Sequence, residues 1–148
     1  MMEWKIKTFD ELSTTELYQL LSLRTAVFVV EQNCPYQELD GKDQVAKHLW
    51  LENEAGEILA LCRLLPEGVS FAEVSIGRVL VHPEFRHQHL GRQLLTEVLD
   101  YLQKVGKSAV KIEAQYYLKE FYASFGFVAD SEPFYEDGIK HINMLLKF

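Results

Sequence analysis

The chain has 148 residues, which suits one domain, residues 1–148, with a single core. Its hydrophobic share of 48% and charged share of 25% are those of a globular protein, and its net charge of −7 disfavours nucleic-acid or anionic-membrane partners. The two cysteines, Cys34 and Cys62, form no CxxC pair, so no metal framework is expected. The start, Met1-Met2-Glu3-Trp4-Lys5, has no apolar leader region. The longest apolar stretch, residues 17–30, is broken by Gln19, Ser22, Arg24 and Thr25 and falls short of the ~20 residues that span a bilayer. A reduced, cytoplasmic protein is expected.

Trp4-Lys5-Ile6-Lys7-Thr8 alternates and predicts a short strand. Ser13 and Glu16 make a capping box, followed by helical spacing from Leu17 through Val27 and Phe28. Residues 31–43, with Asn33, Pro35 and Gly41, read as a structured loop holding at most a short helical turn. Arg24 on the apolar helix face needs a carboxylate partner, for which Glu31 is a candidate. A strand meander follows: residues 47–51, a turn at Glu54-Ala55-Gly56, residues 58–65, another turn at Pro66-Glu67-Gly68, then a long strand over residues 71–81 that Pro83 ends.

The second half alternates between strands and helices. Residues 91–105 predict an amphipathic helix burying Leu94, Leu95, Val98, Leu99, Leu102 and Val105, stopped by Gly106. Residues 109–114 predict a strand, residues 117–125 a helix, and residues 127–129 and 141–148 two further strands. The order β-α-β-β-β-α-β-α-β-β predicts an α/β fold, or α+β by stricter counting, with a mixed sheet. Its strand–helix–strand unit over residues 71–114 predicts a parallel crossover beside an antiparallel meander.

The turn between that strand and helix is the chemically loaded segment. Arg78, His82, Arg86, His87, His89 and Arg92 fall within fifteen positions of an otherwise acidic chain. A helix start presents free N–H groups and a partial positive charge, and arginines beside it suit a pyrophosphate. An ordinary solvated turn is the bland alternative. Neither GxxxxGK[ST] nor GxGxxG is present, which sets aside the two common mononucleotide and dinucleotide loops.

Residues 76–86, Ile-Gly-Arg-Val-Leu-Val-His-Pro-Glu-Phe-Arg, then Leu90-Gly91-Arg92-Gln93-Leu94-Leu95 and Phe121-Tyr122-Ala123-Ser124-Phe125-Gly126-Phe127, resemble the GNAT superfamily of N-acetyltransferases. The loop segments of residues 28–36 and 38–43, with His48, Asp137-Gly138, His141 and Met144, resemble its ElaA-like branch. The resemblance departs from the family pattern at the turn. Arg86 and Gly91 match its ends, but His89 stands where the first glycine is usual and His87 replaces another.

This resemblance implies a mostly antiparallel sheet with a central parallel pair and helices on both faces. It also implies acetyl-CoA as co-substrate and an amine-bearing small molecule or peptide as acceptor, with no metal. The turn residues Arg86, His87, Gln88, His89, Leu90, Gly91 and Arg92 would hold the pyrophosphate. Backbone groups of Val79, Leu80 and Val81 would bind the pantetheine arm, with one N–H serving as an oxyanion donor. Gln115 stands where an asparagine often touches the cofactor, and Tyr122 occupies the general-acid position.

Acyl transfer also needs a base, because a Lys-like amine has a pKa of ~10.4. Glu73, two residues before the position some members give to a catalytic glutamate (Ser75 here), is the first candidate. Glu31, Glu38, Asp40, His48, Glu113 and His141 are others, and a water chain could serve instead. Cys62, in an apolar strand, reads as a buried inert thiol, and Cys34, in a loop, as an exposed one. Direct transfer in a ternary complex is therefore expected over a covalent intermediate. The alternative is a non-catalytic acyl-CoA-binding or interaction module, because the two histidines narrow the turn. A homodimer through exposed sheet edges is compatible with either reading.

Overall fold

The computed structural model describes all 148 residues, Met1–Phe148. Eight strands form one sheet: β1 (Glu3–Thr8), β2 (Lys47–Glu52), β3 (Ile58–Leu65), β4 (Val74–Val81), β5 (Ala109–Gln115), β6 (Val128–Ala129), β7 (Phe134–Glu136) and β8 (Ile139–Lys147). Their order is β1-β2-β3-β4-β5-β8-β6, with β7 also paired to β8. The helices are α1 (Thr14–Thr25), α2 (Leu90–Lys104) and α3 (Lys119–Ala123). Every neighbouring pair is antiparallel except β4 and β5, which are parallel and joined through α2. The mixed sheet inferred from the alternating pattern is therefore the one observed.

The capping box is complete: Glu16 N–H donates to Ser13 Oγ at 3.0 Å, and Ser13 N–H donates to Glu16 Oε1 at 2.9 Å. The α-helix stops earlier than the periodicity suggests. Residues Ala26–Glu31 wind as a π-helix, with the Gln32 N–H reaching the Val27 carbonyl. Wide turns of this kind are frequent at functional sites. The α2 helix buries Leu90, Leu94, Leu95, Val98, Leu99 and Leu102. Val105, expected inside, is instead exposed at its C-terminal end. Gly106, at φ +84°, closes the helix, and the next N–H, of Lys107, bonds back to the Leu102 carbonyl.

The α2 leucines pack with Leu49, Leu51, Ile76, Val110, Ile112 and Met144 on one face of the sheet. Leu20 and Val27 pack with Trp50, Leu61 and Leu80 in a smaller cluster on the other. Adjacent strand residues point to opposite faces, so Trp50 and Leu51 join different cores. Three further boundaries differ from expectation. The strand over residues 71–81 begins only at Val74, the helix over residues 117–125 splits into a 3₁₀ turn (Tyr116–Leu118) and α3, and β7 lies in a segment expected to be loop.

Candidate active site

The site begins with a defect in β4. Leu61 pairs with Leu80 and Arg63 with Gly77, so Arg78 and Val79 together oppose the single residue Cys62. Such a bulge kinks its strand, and here it holds Arg78 in the left-handed region at φ 53°. On its other side β4 pairs with β5 only at Val74–Val110 and Ser75–Lys111. Beyond those pairs the strands part. A cleft of about 1080 Å³ opens there, lined by Val79, Leu80, Val81, Gln115 and Tyr122 among others. These five residues, scattered along the chain, line one cleft.

The turn ahead of α2 frames a smaller recess of about 350 Å³, lined by Arg86, His87, His89, Leu90, Gly91 and Arg92. It shares Val81, Arg86, Gly91 and Phe121 with the larger cleft, so the two are continuous. Gln88, expected with them, is exposed and lines neither. No side chain caps α2 and its first turn has no acidic residue. The N–H groups of Leu90, Gly91 and Arg92 make no hydrogen bond within the protein.

His87 and His89 adopt φ 68° and 59°, so the chain keeps a glycine-like turn with histidine in it. Left-handed backbone costs a non-glycine residue roughly 1–2 kcal/mol. By contrast, a Cβ on Gly91 would meet Phe121 Cζ at 3.7 Å and Val81 Cγ2 at 3.8 Å, ordinary contacts, so the fold itself does not require glycine there. The Arg92 guanidinium lies 4.6 Å from the Phe125 ring centroid and donates to Ser124 Oγ at 3.1 Å.

Tyr122 is only 5% exposed, with edge-on contacts to Phe121 and Phe127. It is a core aromatic and a cleft residue at once. Its hydroxyl hydrogen-bonds no protein group, and burial pushes the phenol well above its ordinary pKa, so it stays protonated. Glu73 precedes β4 and does not line the cleft, whereas Ser75 does. Burial pushes the Cys62 thiol up to about 12, as befits an inert core residue. Cys34 is buried too, contrary to expectation, and its Sγ reaches the Asp137 carbonyl at 3.5 Å.

Several candidate bases are committed elsewhere. Arg24 pairs with Glu38 (Nε to Oε2, 2.7 Å) and Asp43 (Nη1 to Oδ1, 2.8 Å), not with Glu31. Arg63 bonds Asp40 and Asp43, and Arg78 bonds Glu38 and Asp40. The Tyr36 hydroxyl donates to the second Glu38 oxygen, and His48 Nε2 meets the Asp43 carbonyl oxygen at 3.1 Å. Burial alone would raise the Asp40 carboxyl, but bonds from Arg63 and the Lys42 N–H outweigh it and hold it well below the usual range. Asp43 is likewise lowered, with Arg24 and Arg63 overcoming the cost of burial. This network fastens the loop between the π-helix and β2 to the bulge in β4. Glu31, the partner expected for Arg24, instead pairs with Arg86.

On the cleft side of β5, Gln115 exchanges hydrogen bonds with Gln32 at 3.1 and 3.4 Å. His141 Nδ1 lies 2.7 Å from the Ile139 carbonyl oxygen, and the ring stacks on Phe134. Glu113 and Glu136 both line the cleft. Partial desolvation and then the Glu136 carboxyl push the Glu113 pKa up to about 7. The period-two pattern of β5, with Val110, Ile112 and Ala114 buried, already sets Glu113 and Gln115 on the opposite face. Glu136 and Gln32 left no comparable signal.

A sheet that parts over a cleft, with a basic helix start at its mouth, can hold an extended anionic ligand between its strands. The acetyltransferase (GNAT) domain family model matches residues 11–148, so the chain belongs to the GNAT acetyltransferase family. It is 42% identical over 147 residues to protein ElaA of Escherichia coli (strain K12), covering 97% of this chain and 95% of that protein. The fold matches the crystal structure of an acyl-CoA N-acyltransferase from Pseudomonas aeruginosa with a TM-score of 0.92 at 42% identity, over 98% of this chain and 99% of that one. It also matches a GNAT family acetyltransferase from Elizabethkingia anophelis with acetyl-CoA bound, with a TM-score of 0.71 at 16% identity, over 99% and 98% of the two chains. No helix is long and apolar enough to cross a membrane.

Proposed function

We propose that the protein transfers an acetyl group from acetyl-CoA to a primary amine by direct attack, with both substrates in the cleft together. The observation that carries this reading is Tyr122, a nearly buried phenol with no partner in the protein, facing a cleft continuous with a basic recess. The unsatisfied N–H groups at the start of α2, with Arg86 and Arg92, fit a pyrophosphate. The β4 backbone from Val79 to Val81, freed by the splay, fits an amide-bearing arm. The thioester supplies the acetyl group and a thiolate leaving group. Tyr122 gives the departing sulfur a proton, which a phenol that stays protonated near neutral pH can do.

The family and the Pseudomonas relative's name support acyl-CoA chemistry, and the Elizabethkingia structure supports acetyl-CoA as the donor. Thiol release from acetyl-CoA across a panel of primary amines tests the reading. Release with at least one amine, together with a raised melting temperature in acetyl-CoA, is expected. Binding without release for every amine would instead fit an acyl-CoA-binding module. No binding at all would overturn both.

A further inference from the structure

Glu113 stands at a particular point of the splay. The last β4–β5 pair is Ser75–Lys111, and Glu113 is the next residue of β5 on the same face, about 7 Å further on. Across from it β4 has Gly77, whose missing side chain leaves open space: a Cβ there would meet nothing within 4 Å. Glu136, from the β7–β8 hairpin, lines the same cleft and adds a second carboxyl to it. The charged groups around the pair are Lys42 from the loop before β2, Arg78 from the bulge, and Asp137 and His141 from the hairpin and β8. Arg78 is already neutralised by Glu38 and Asp40. The same cleft receives the unpartnered Tyr122 hydroxyl, which marks it independently as a place where a ligand sits.

We propose that Glu113, paired with Glu136, receives the ammonium group of the acceptor and takes its first proton. This rests on the acetyl-transfer reading. Carboxyls converging on one point of the cleft supply negative charge that complements an ammonium group, and Glu113 in its ionised form accepts that group's proton. The acceptor class is thus a cationic primary amine, and a carboxylate beside its nitrogen would be repelled by Glu113 and Glu136. The ammonium passes one proton to Glu113, and its freed lone pair forms the N–C bond to the thioester carbonyl. The C–S bond then breaks, and its electron pair leaves on sulfur. The second nitrogen proton replaces, through Tyr122, the one given to sulfur. Products are the N-acetyl amine, the free thiol and the proton on Glu113, which is released to water.

Two measurements test the proposal on the full chain loaded with CoA. Butylammonium, followed by chemical-shift titration, is expected to bind the wild-type protein and to bind E113Q at least ten times more weakly, with CoA affinity unchanged. Equal binding to both, or no binding to the wild type, overturns the proposal. In the thiol-release assay, kcat/KM is expected to rise with pH through about 7, the range to which Glu113 is pushed. E113Q should lose that limb and about 10²–10⁴ in rate. E136Q should move the limb to lower pH, because the neighbouring carboxyl no longer opposes ionisation of Glu113. A limb that survives in E113Q overturns the assignment while leaving acetyl transfer standing. If the wild type releases thiol with no amine, acetyl transfer falls by itself and the butylammonium titration alone decides the ammonium site.

Discussion

Arg86 and Glu31 form a two-pronged ion pair, Nη1 to Oε2 at 2.6 Å and Nη2 to Oε1 at 2.7 Å, joining the turn before α2 to the end of the π-helix. Arg86 also reaches back to the Val81 carbonyl at 3.4 Å. The Arg86 guanidinium holds the Glu31 carboxyl below its ordinary pKa. The arginine proposed to hold the pyrophosphate therefore already has an anionic partner.

A bound phosphate has to share or displace that partner. Arg86→Ala is expected to weaken acetyl-CoA binding by about 10- to 100-fold, the worth of hydrogen bonds from a charged donor. Glu31→Gln is expected to tighten it about two- to fivefold, because an exposed ion pair is worth at most about 1 kcal/mol. Titration calorimetry at two salt concentrations checks both. Unchanged affinity in Arg86→Ala would remove the turn from the binding site.

Tyr122→Phe deletes one oxygen and keeps the ring contacts with Phe121 and Phe127. Turnover is expected to fall by about 10²–10⁴, the usual worth of a positioned general acid. Acetyl-CoA affinity should barely change. Burial raises the phenol's pKa, so the wild-type pH profile should show no loss of the acid up to the ordinary tyrosine range, ~10. Full turnover in Tyr122→Phe across the pH series would end its assignment as the acid.

The buried charge network predicts a two-stage acid response. Burial lowers the His48 pKa, so the fold holds it neutral. Its contribution is complete above the unfolded value of ~6.5 and shrinks as pH falls from there towards the lowered folded value. Asp40 and Asp43 are also lowered, so their contribution is complete above ~3.9 and is lost as pH falls through their folded values. Urea melts from pH 7 to 3 should show a shallow decline, then a steep one. Arg24→Met leaves Glu38 and Asp43 short of a cation and should cost about 3–5 kcal/mol, because it strands buried charge. A melting temperature within a degree of wild type would show that the network is not structural.

Local chemistry was readable in the chain. Ser13 and Glu16 lie three residues apart, and their reciprocal bonds follow from helix geometry alone. The α2 leucines at helical spacing, and β5 with Val110, Ile112 and Ala114 inward, were equally direct. So was the basic turn before α2, because its arginines and histidines are neighbours in sequence. The spacing of Tyr122 marks it as a core residue, and only the structure shows that it also lines the cleft.

Other features depend on partners far away along the chain. Arg24 declares by its place on an apolar face that it needs a carboxylate, but the choice of Glu38 and Asp43 over Glu31 is made by the loop that folds over the bulge. The bulge at Arg78 shows only when β4 is laid against β3, and the splay only when β4 is laid against β5. Glu113 and Glu136 line one cleft because β8 pairs with both β5 and β7, across a chain separation no periodicity reports. Periodicity, caps and turn residues act through contacts within about one helical turn and can be read along a line. The basic turn and the helix that starts from it are of that kind. The carboxyl pair, the latch between Arg86 and Glu31, and the depth at which Tyr122 sits are set by strand register, which exists only once the sheet has formed.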